Sequence, residues 1–150
     1  MGCCNHLNVL PTAGDAEGAP GDPRPPLADI QVARKVYPDP ATGRERLILD
    51  RVAFTVDPAE FVALVGPSGC GKSTLLHLIA GLDKAFTGSI RWPGTPDGRR
   101  PRLGYCFQNP RLLPWLTLRG NIDLVLDDPA ARAAAVDSLL TTMGLAAVAH

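Results

Sequence analysis

An excess of charge of either sign is missing: fifteen Lys and Arg stand against fifteen Asp and Glu, so the formal net charge is zero. Without a domain-wide positive field nothing holds nucleic acid by counterion release, which argues against a DNA- or RNA-binding role. Long apolar runs are missing too. No stretch approaches the roughly 18 consecutive apolar residues that a membrane-spanning helix requires, and the first residues lack the basic start and unbroken apolar segment of a secretory signal peptide. Cysteine is sparse, and Cys3, Cys4, Cys70 and Cys106 show no paired metal-ligand spacing, which argues against a zinc site. They read as free thiols of a reducing compartment. There is no internal repeat.

What is present in excess is glycine and proline, fifteen of each in 150 residues, against a combined share of roughly 12% in an average chain. The excess is concentrated at the start. Residues 1–26 hold Pro11, Pro20, Pro23, Pro25 and Pro26 with Gly2, Gly14, Gly18 and Gly21, and no aromatic residue to start a core. This composition predicts a disordered leader over 1–26 and one domain over 27–150.

From there the pattern predicts alternating short strands and helices. Ile30–Tyr37 and Arg51–Val56 read as strands joined by the turn-rich segment 38–43, and Phe61–Val65 is a continuous apolar run of the kind that suits a strand buried on both faces. It leads into a glycine loop and then a helix from Lys72 to Ala80, ending at Gly81. Gly88–Trp92 and Arg102–Phe107 read as two further strands of a meander. Thr117 is placed to cap a helix carrying Leu118, Ile122, Val125 and Leu126. Asp128 and Pro129 open a last helix, with Val136, Leu139, Leu140 and Met143 along one side before Gly144.

Gly66–Ser73 satisfies G-x-x-x-x-G-K-S in full, extended by Thr74. Each residue type has a reason. Gly66, Gly69 and Gly71 let the backbone adopt conformations closed to residues with a Cβ, so that successive amides can turn toward phosphate oxygens. The helix starting near Lys72 adds its unpaired N–H groups and positive dipole end. Lys72 brings a full charge, and at 4 Å and an effective dielectric near 20 it attracts one phosphate charge by about 4 kcal/mol before desolvation. Ser73 offers a neutral oxygen suited to the octahedral shell of Mg²⁺, and Thr74 either helps hold the α-phosphate or caps the helix. Gly66, Pro67, Ser68, Gly69, Cys70, Gly71, Lys72, Ser73 and Thr74 together are the expected phosphate cradle, with the Cys70 side chain pointing away from the ligand.

The flanks of this loop narrow the choice among P-loop proteins. The run from Phe61 to Leu76, with Ile79-Ala80-Gly81-Leu82 and Thr87-Gly88-Ser89-Ile90, resembles the nucleotide-binding subunit of an ABC transporter. Gly104 to Trp115, followed by Asn121-Ile122, is similar to that family's Q-loop and the start of its helical subdomain, and Phe107-Gln108 with Leu112-Leu113-Pro114-Trp115 is most similar to importers of the nitrate, sulfonate and taurine group. The resemblance covers Asp29 to about His150. It implies an α/β P-loop NTPase fold, ATP and Mg²⁺ as ligands, transmembrane permease subunits and a second ATP-binding subunit as partners, and a cytoplasmic place on the inner face of the membrane. It gives Tyr37 the role of stacking on adenine, with a strand-end core aromatic as the alternative. It gives Gln108 contact with Mg²⁺ or the attacking water, so that Lys72 and Gln108 are the expected catalytic residues and Ser73 and Gln108 the expected metal ligands. Leu112, Leu113 and Trp115 form either an exposed patch for a partner's coupling helix or packing beneath the loop.

Departures from the family pattern carry equal weight. The Leu-Ser-Gly-Gly-Gln type signature, the strand ending in the metal-binding Asp and catalytic Glu, and the switch histidine are absent from the sequence. Leu124–Asp128 imitates an apolar run ending in an acid, but it opens a capped helix. His77 lies in the loop helix and His150 is the last residue. Ala59-Glu60 stands where the family usually has Gly-Glu, as a turn before a strand, and Arg99, Arg100 and Arg102 read as a solvated basic turn. The resemblance therefore implies a chain truncated within the helical subdomain, with marginal stability, weak Mg-ATP binding and negligible turnover. The rivals are a non-catalytic nucleotide-binding module and a P-loop small-molecule kinase.

Overall fold

Ala28, Ile30 and Val32 alternate with Asp29 and Gln31, and this period of two puts the three apolar side chains on one buried face of a strand. In the computed structural model, which describes residues 7–12, 24–109, 111–126 and 129–148, that strand is β2 (Ala28–Pro38), preceded by β1 (Asn8–Thr12). It is followed by β3 (Glu45–Val56), β4 (Phe61–Val65), α1 (Lys72–Ile79) and β5 (Thr87–Arg91), then by α2 (Leu118–Asp123), α3 (Pro129–Thr142) and a short 3₁₀ turn at Ala146–Val148. The chain divides into two compact units between Tyr105 and Cys106.

In the first unit β3, β2 and β5 form an antiparallel sheet in that order. Leu75 and Leu78, three apart on α1 and hence on one helix face, complete its core with Leu49 and Trp92. The phosphate-loop helix is thus anchored to the sheet. At the β2–β5 ladder the register shifts between Val32 and Arg34, and Gly88 sits there with φ +130°, where a Cβ would lie 2.0 Å from the Gln31 carbonyl oxygen. Only glycine allows so close an approach. Asp29 faces Arg91 across the same ladder at 2.7 Å, and the Gln31 amide together with this guanidinium holds its carboxyl below the usual range.

Several expectations need correction. Asn8–Thr12, inside the expected leader, form β1 and pair antiparallel with β4, and Leu7 packs against the core; residues 1–6 and 13–23 lie outside the described residues. β4 has the expected bounds but is not buried on both faces, since Phe61 is 68% exposed, and no parallel pairing occurs among the described strands. β3 starts at Glu45 rather than Arg51, because the turn before it closes between Asp39 and Arg44, where Asp39 N–H donates to the Arg44 carbonyl at 2.8 Å. Residues 102–107 do not form a strand, and β5 takes its ladder partner from β2. Arg100 is not merely a solvated turn residue, as its guanidinium donates to the Ala80 carbonyl at the end of α1.

The second unit is a small helical cluster. Thr117 Oγ1 accepts from Gly120 N–H at 3.1 Å and caps α2 as its sequence position predicts. Val136 and Leu140 of α3 are buried against Leu118, Ile122 and Leu126. Leu139 and Met143 are exposed rather than part of that face, as is Val125, which follows the end of α2. Asp127 and Asp128 lie outside the described residues. Gly144, at φ +69°, ends α3, and Leu145 N–H returns to the Leu140 carbonyl at 2.8 Å.

Candidate functional site

A turn aims β4 at the loop: Glu60 N–H donates to the Asp57 carbonyl at 3.2 Å, and the Glu60 carboxylate accepts from Asp57 N–H at 2.7 Å. β4 then delivers the chain to Gly66. Within the loop Cys70 N–H donates to the Pro67 carbonyl at 3.3 Å, and Gly71 N-caps α1 in the left-handed region at φ +103°. A Cβ at Gly71 would stand 2.6 Å from Leu49 Cδ2 and 3.2 Å from the Ile48 carbonyl, so this glycine lets the loop lie directly against β3. No side chain caps the helix here. The first amides of α1 are therefore not taken up by a capping side chain, as a Ser or Asp cap would have done.

Lys72 turns back over the loop. Its Nζ donates to the Gly66 carbonyl at 2.7 Å and the Pro67 carbonyl at 2.8 Å, and lies 3.8 Å from Cys70 Sγ. All three ammonium protons thus have an acceptor on the loop, two carbonyls and a thiol sulfur, the sulfur being the weakest of the three. Cys70 is buried and Ser73 exposed, while Pro67, Ser68 and Gly69 are open to solvent. An exposed serine hydroxyl beside a lysine is a hard, neutral oxygen donor of the type that fits Mg²⁺. Among the described residues no group of three or more His, Cys, Asp or Glu side chains forms a separate metal site.

Tyr37 lies near the end of β2, half-buried, with its hydroxyl donating to Asp83 Oδ2 at 2.8 Å. Burial and the Asp83 carboxylate push the Tyr37 phenol up, with Thr74 opposing. Beneath the ring is Lys35, whose Nζ lies 4.3 Å from the ring centroid and 2.7 Å from Asp83 Oδ2. The hydrogen bond from Lys35 holds the Asp83 carboxyl down at about 2, helped by the Ala85 N–H and the Tyr37 hydroxyl and opposed by burial. Neither Lys35 nor Asp83 was legible as a site residue, because a lysine on a strand and an acid after a helix reveal nothing until the two meet.

Gln108 is exposed at a bend in the second unit, whereas the loop belongs to the first. Around it Arg111 lies over the Phe107 ring, 5.1 Å from its centroid. Leu112 and Trp115 are exposed, Trp115 by 76%, while Leu113 is half-buried. Of the two readings of this apolar group, exposure holds for Leu112 and Trp115. The segment is fastened by Asn121: its Oδ1 accepts from Leu113 N–H at 2.7 Å, and its Nδ2 donates to the carbonyls of Leu113 at 3.1 Å and Thr117 at 3.0 Å. The sequence offered only the presence of an Asn in an early helical turn as a signal for this clamp.

No helix among the described residues is long and apolar enough to cross a membrane. Comparison with known proteins adds the lineage. The sequence profile of the ABC transporter family matches residues 49–150. The aliphatic sulfonates import ATP-binding protein SsuB 2 of Burkholderia cenocepacia is 44% identical over 144 residues, covering 95% of this chain and 48% of that protein. SsuB of Bacillus subtilis is 44% identical over 108 residues, and an SsuB 1 of Pseudomonas aeruginosa 41% identical over 130. The chain spans about half the length of the curated relatives it matches. The match takes in the loop, α1 and the Phe107–Trp115 segment together and leaves the small-molecule kinase alternative without support. With its lysine-closed glycine loop between β4 and α1, this chain has the P-loop NTPase fold and belongs to the ABC transporter family.

Proposed function

We propose that the chain is the loop-bearing part of the ATP-binding subunit of an ABC importer for aliphatic sulfonates or chemically similar solutes, and that its loop holds the triphosphate of ATP. The observation that carries this reading is the position of Lys72 Nζ, folded over the Gly66 and Pro67 carbonyls at the start of an uncapped helix. Lys72 supplies the mobile charge for the β- and γ-phosphates, the α1 amides supply fixed donors, and Tyr37 supplies a flat surface for adenine. Ser73 would offer its hydroxyl to Mg²⁺, which neutralises phosphate charge when bound, while the metal role of Gln108 rests on the family resemblance alone. Hydrolysis additionally needs a group to activate water, and the sequence contains no residue in a matching motif for it. Weak binding without turnover is therefore the expected behaviour of these 150 residues.

The exposed Leu112 and Trp115 are the proposed contact for a permease subunit, which would place the protein on the cytoplasmic side of the membrane. A second ATP-binding subunit would complete each nucleotide site with its signature sequence. The test is calorimetric binding of Mg-ATP to the chain and to Lys72→Ala. Removing one charge-assisted contact should weaken binding by about tenfold or more. Equal affinities would defeat the phosphate-loop assignment.

A further inference from the structure

Lys35 is the one charged side chain buried among the described residues, at 2% exposure, and the phosphate chemistry does not use it. A cation is tolerated in such a place only when its protons are matched. Here they are. Its Nζ donates to the Ala85 carbonyl at 2.6 Å, pairs with Asp83 Oδ2 at 2.7 Å and lies under the Tyr37 ring at 4.3 Å. Asp83 closes the arrangement, since Oδ2 also accepts from the Tyr37 hydroxyl and Oδ1 from Ala85 N–H at 2.9 Å. The ring is thus held at one face and at its far tip.

We propose that Lys35 and Asp83 are positioning residues that set the Tyr37 ring in place to receive the nucleobase and couple that ring to the helix carrying Lys72. A ring already fixed loses little freedom when a base stacks on it, so ordering costs are met by the fold rather than by the ligand. The ammonium occupies one face and leaves the opposite face for the base. It also draws π-electron density toward itself, which eases the repulsion between two stacked ring faces. The coupling follows from sequence position: Asp83 lies in the turn after α1, where its N–H donates to the His77 carbonyl at 3.3 Å while its Oδ2 accepts from the Tyr37 hydroxyl.

This inference rests on the reading of Tyr37 as the nucleobase surface, and its test separates the two. Affinities of the 150-residue chain for Mg-ATP and for inorganic tripolyphosphate, which has the phosphates without the base, are compared with those of Tyr37→Ala and Lys35→Met. Tyr37→Ala should weaken Mg-ATP by about tenfold and leave tripolyphosphate unchanged. Lys35→Met should weaken Mg-ATP by about threefold to tenfold, again with tripolyphosphate unchanged. An Mg-ATP affinity unmoved by Tyr37→Ala overturns the nucleobase reading and the positioning role with it. A loss with Tyr37→Ala but none with Lys35→Met overturns the positioning role alone, as does an equal loss for both ligands in Lys35→Met, which marks general structural damage. Should Lys35→Met not fold, Tyr37→Phe takes its place, since it removes only the hydroxyl arm to Asp83. Mg-ATP weakened about threefold with tripolyphosphate unmoved supports the role, and an unchanged Mg-ATP affinity overturns it.

Discussion

The Glu60 carboxylate accepts from Asp57 N–H at 2.7 Å and ties off the turn that sends β4 toward the loop. Between them stands Ala59 at φ +62°, a left-handed conformation that costs a residue with a Cβ more than it costs glycine. Ala59→Gly should relieve that strain and raise stability by about 0.5–1 kcal/mol after the extra chain entropy of glycine is subtracted. Urea unfolding of the two proteins gives the comparison, and a lower midpoint for the glycine variant would show that the turn is not strained.

Gly71 should tolerate no side chain. At φ +103°, with Leu49 Cδ2 2.6 Å from where a Cβ would go, Gly71→Ala forces the loop away from β3. A loss of about 2–3 kcal/mol is expected, together with loss of Mg-ATP binding. Thermal unfolding and calorimetry read the two effects separately, and normal binding by the variant would show that the loop's seat on β3 is dispensable.

Acid should weaken the first unit in a defined window. Asp83 has its carboxyl held at about 2 against an ordinary 3.8, so the folded state binds fewer protons than the unfolded chain between those values. The stabilisation is complete above about pH 4 and is lost as pH falls toward 2. Asp83→Asn, whose amide oxygen still accepts from Tyr37 and Lys35, should be less stable at neutral pH but decline less steeply in that window. Thermal midpoints from pH 5 down to pH 2, on the order of this shift, test it; parallel curves would remove Asp83 as the source.

Neighbouring leucines of α3 should behave differently. Leu140 is 2% exposed and Leu139 47%. Leu140→Ala should cost about 2–4 kcal/mol, and Leu139→Ala no more than about 0.5–1 kcal/mol. Similar losses at both positions would mean that α3 presents a different face to Leu118 and Ile122.

The phosphate loop, β4 and α1 were legible in the sequence because ligand geometry dictates nearly every residue type there, and the apolar run and helix formers on either side agree with it. Tyr37 was legible only through family resemblance, and its surroundings were not legible at all, since the Lys35–Asp83 pair exists only once β2 and the end of α1 meet. β1 escaped notice for a local reason. It contains Pro11, which cannot donate to a ladder, and that is tolerated because, among the described strands, β1 pairs with β4 alone. Residues 102–107 show the converse failure, a segment with strand propensity that takes no place in a ladder of the described sheets. In the second unit the Thr117 cap was readable from local chemistry, but the apolar stripe of α3 was read too wide, because periodicity alone does not say how much of a helix face its neighbours reach.

The resting place of Lys72 has a consequence for how an anion is received. Its side chain is already immobilised on two carbonyls, so most of the rotamer freedom of a lysine, about 2 kcal/mol, is surrendered before any ligand arrives. Arrival is then an exchange of partners rather than the capture of a swinging arm. A poorly charged or badly shaped visitor must compete with carbonyl oxygens that are already well placed, and the loop's own backbone thereby sets a threshold for whatever enters it.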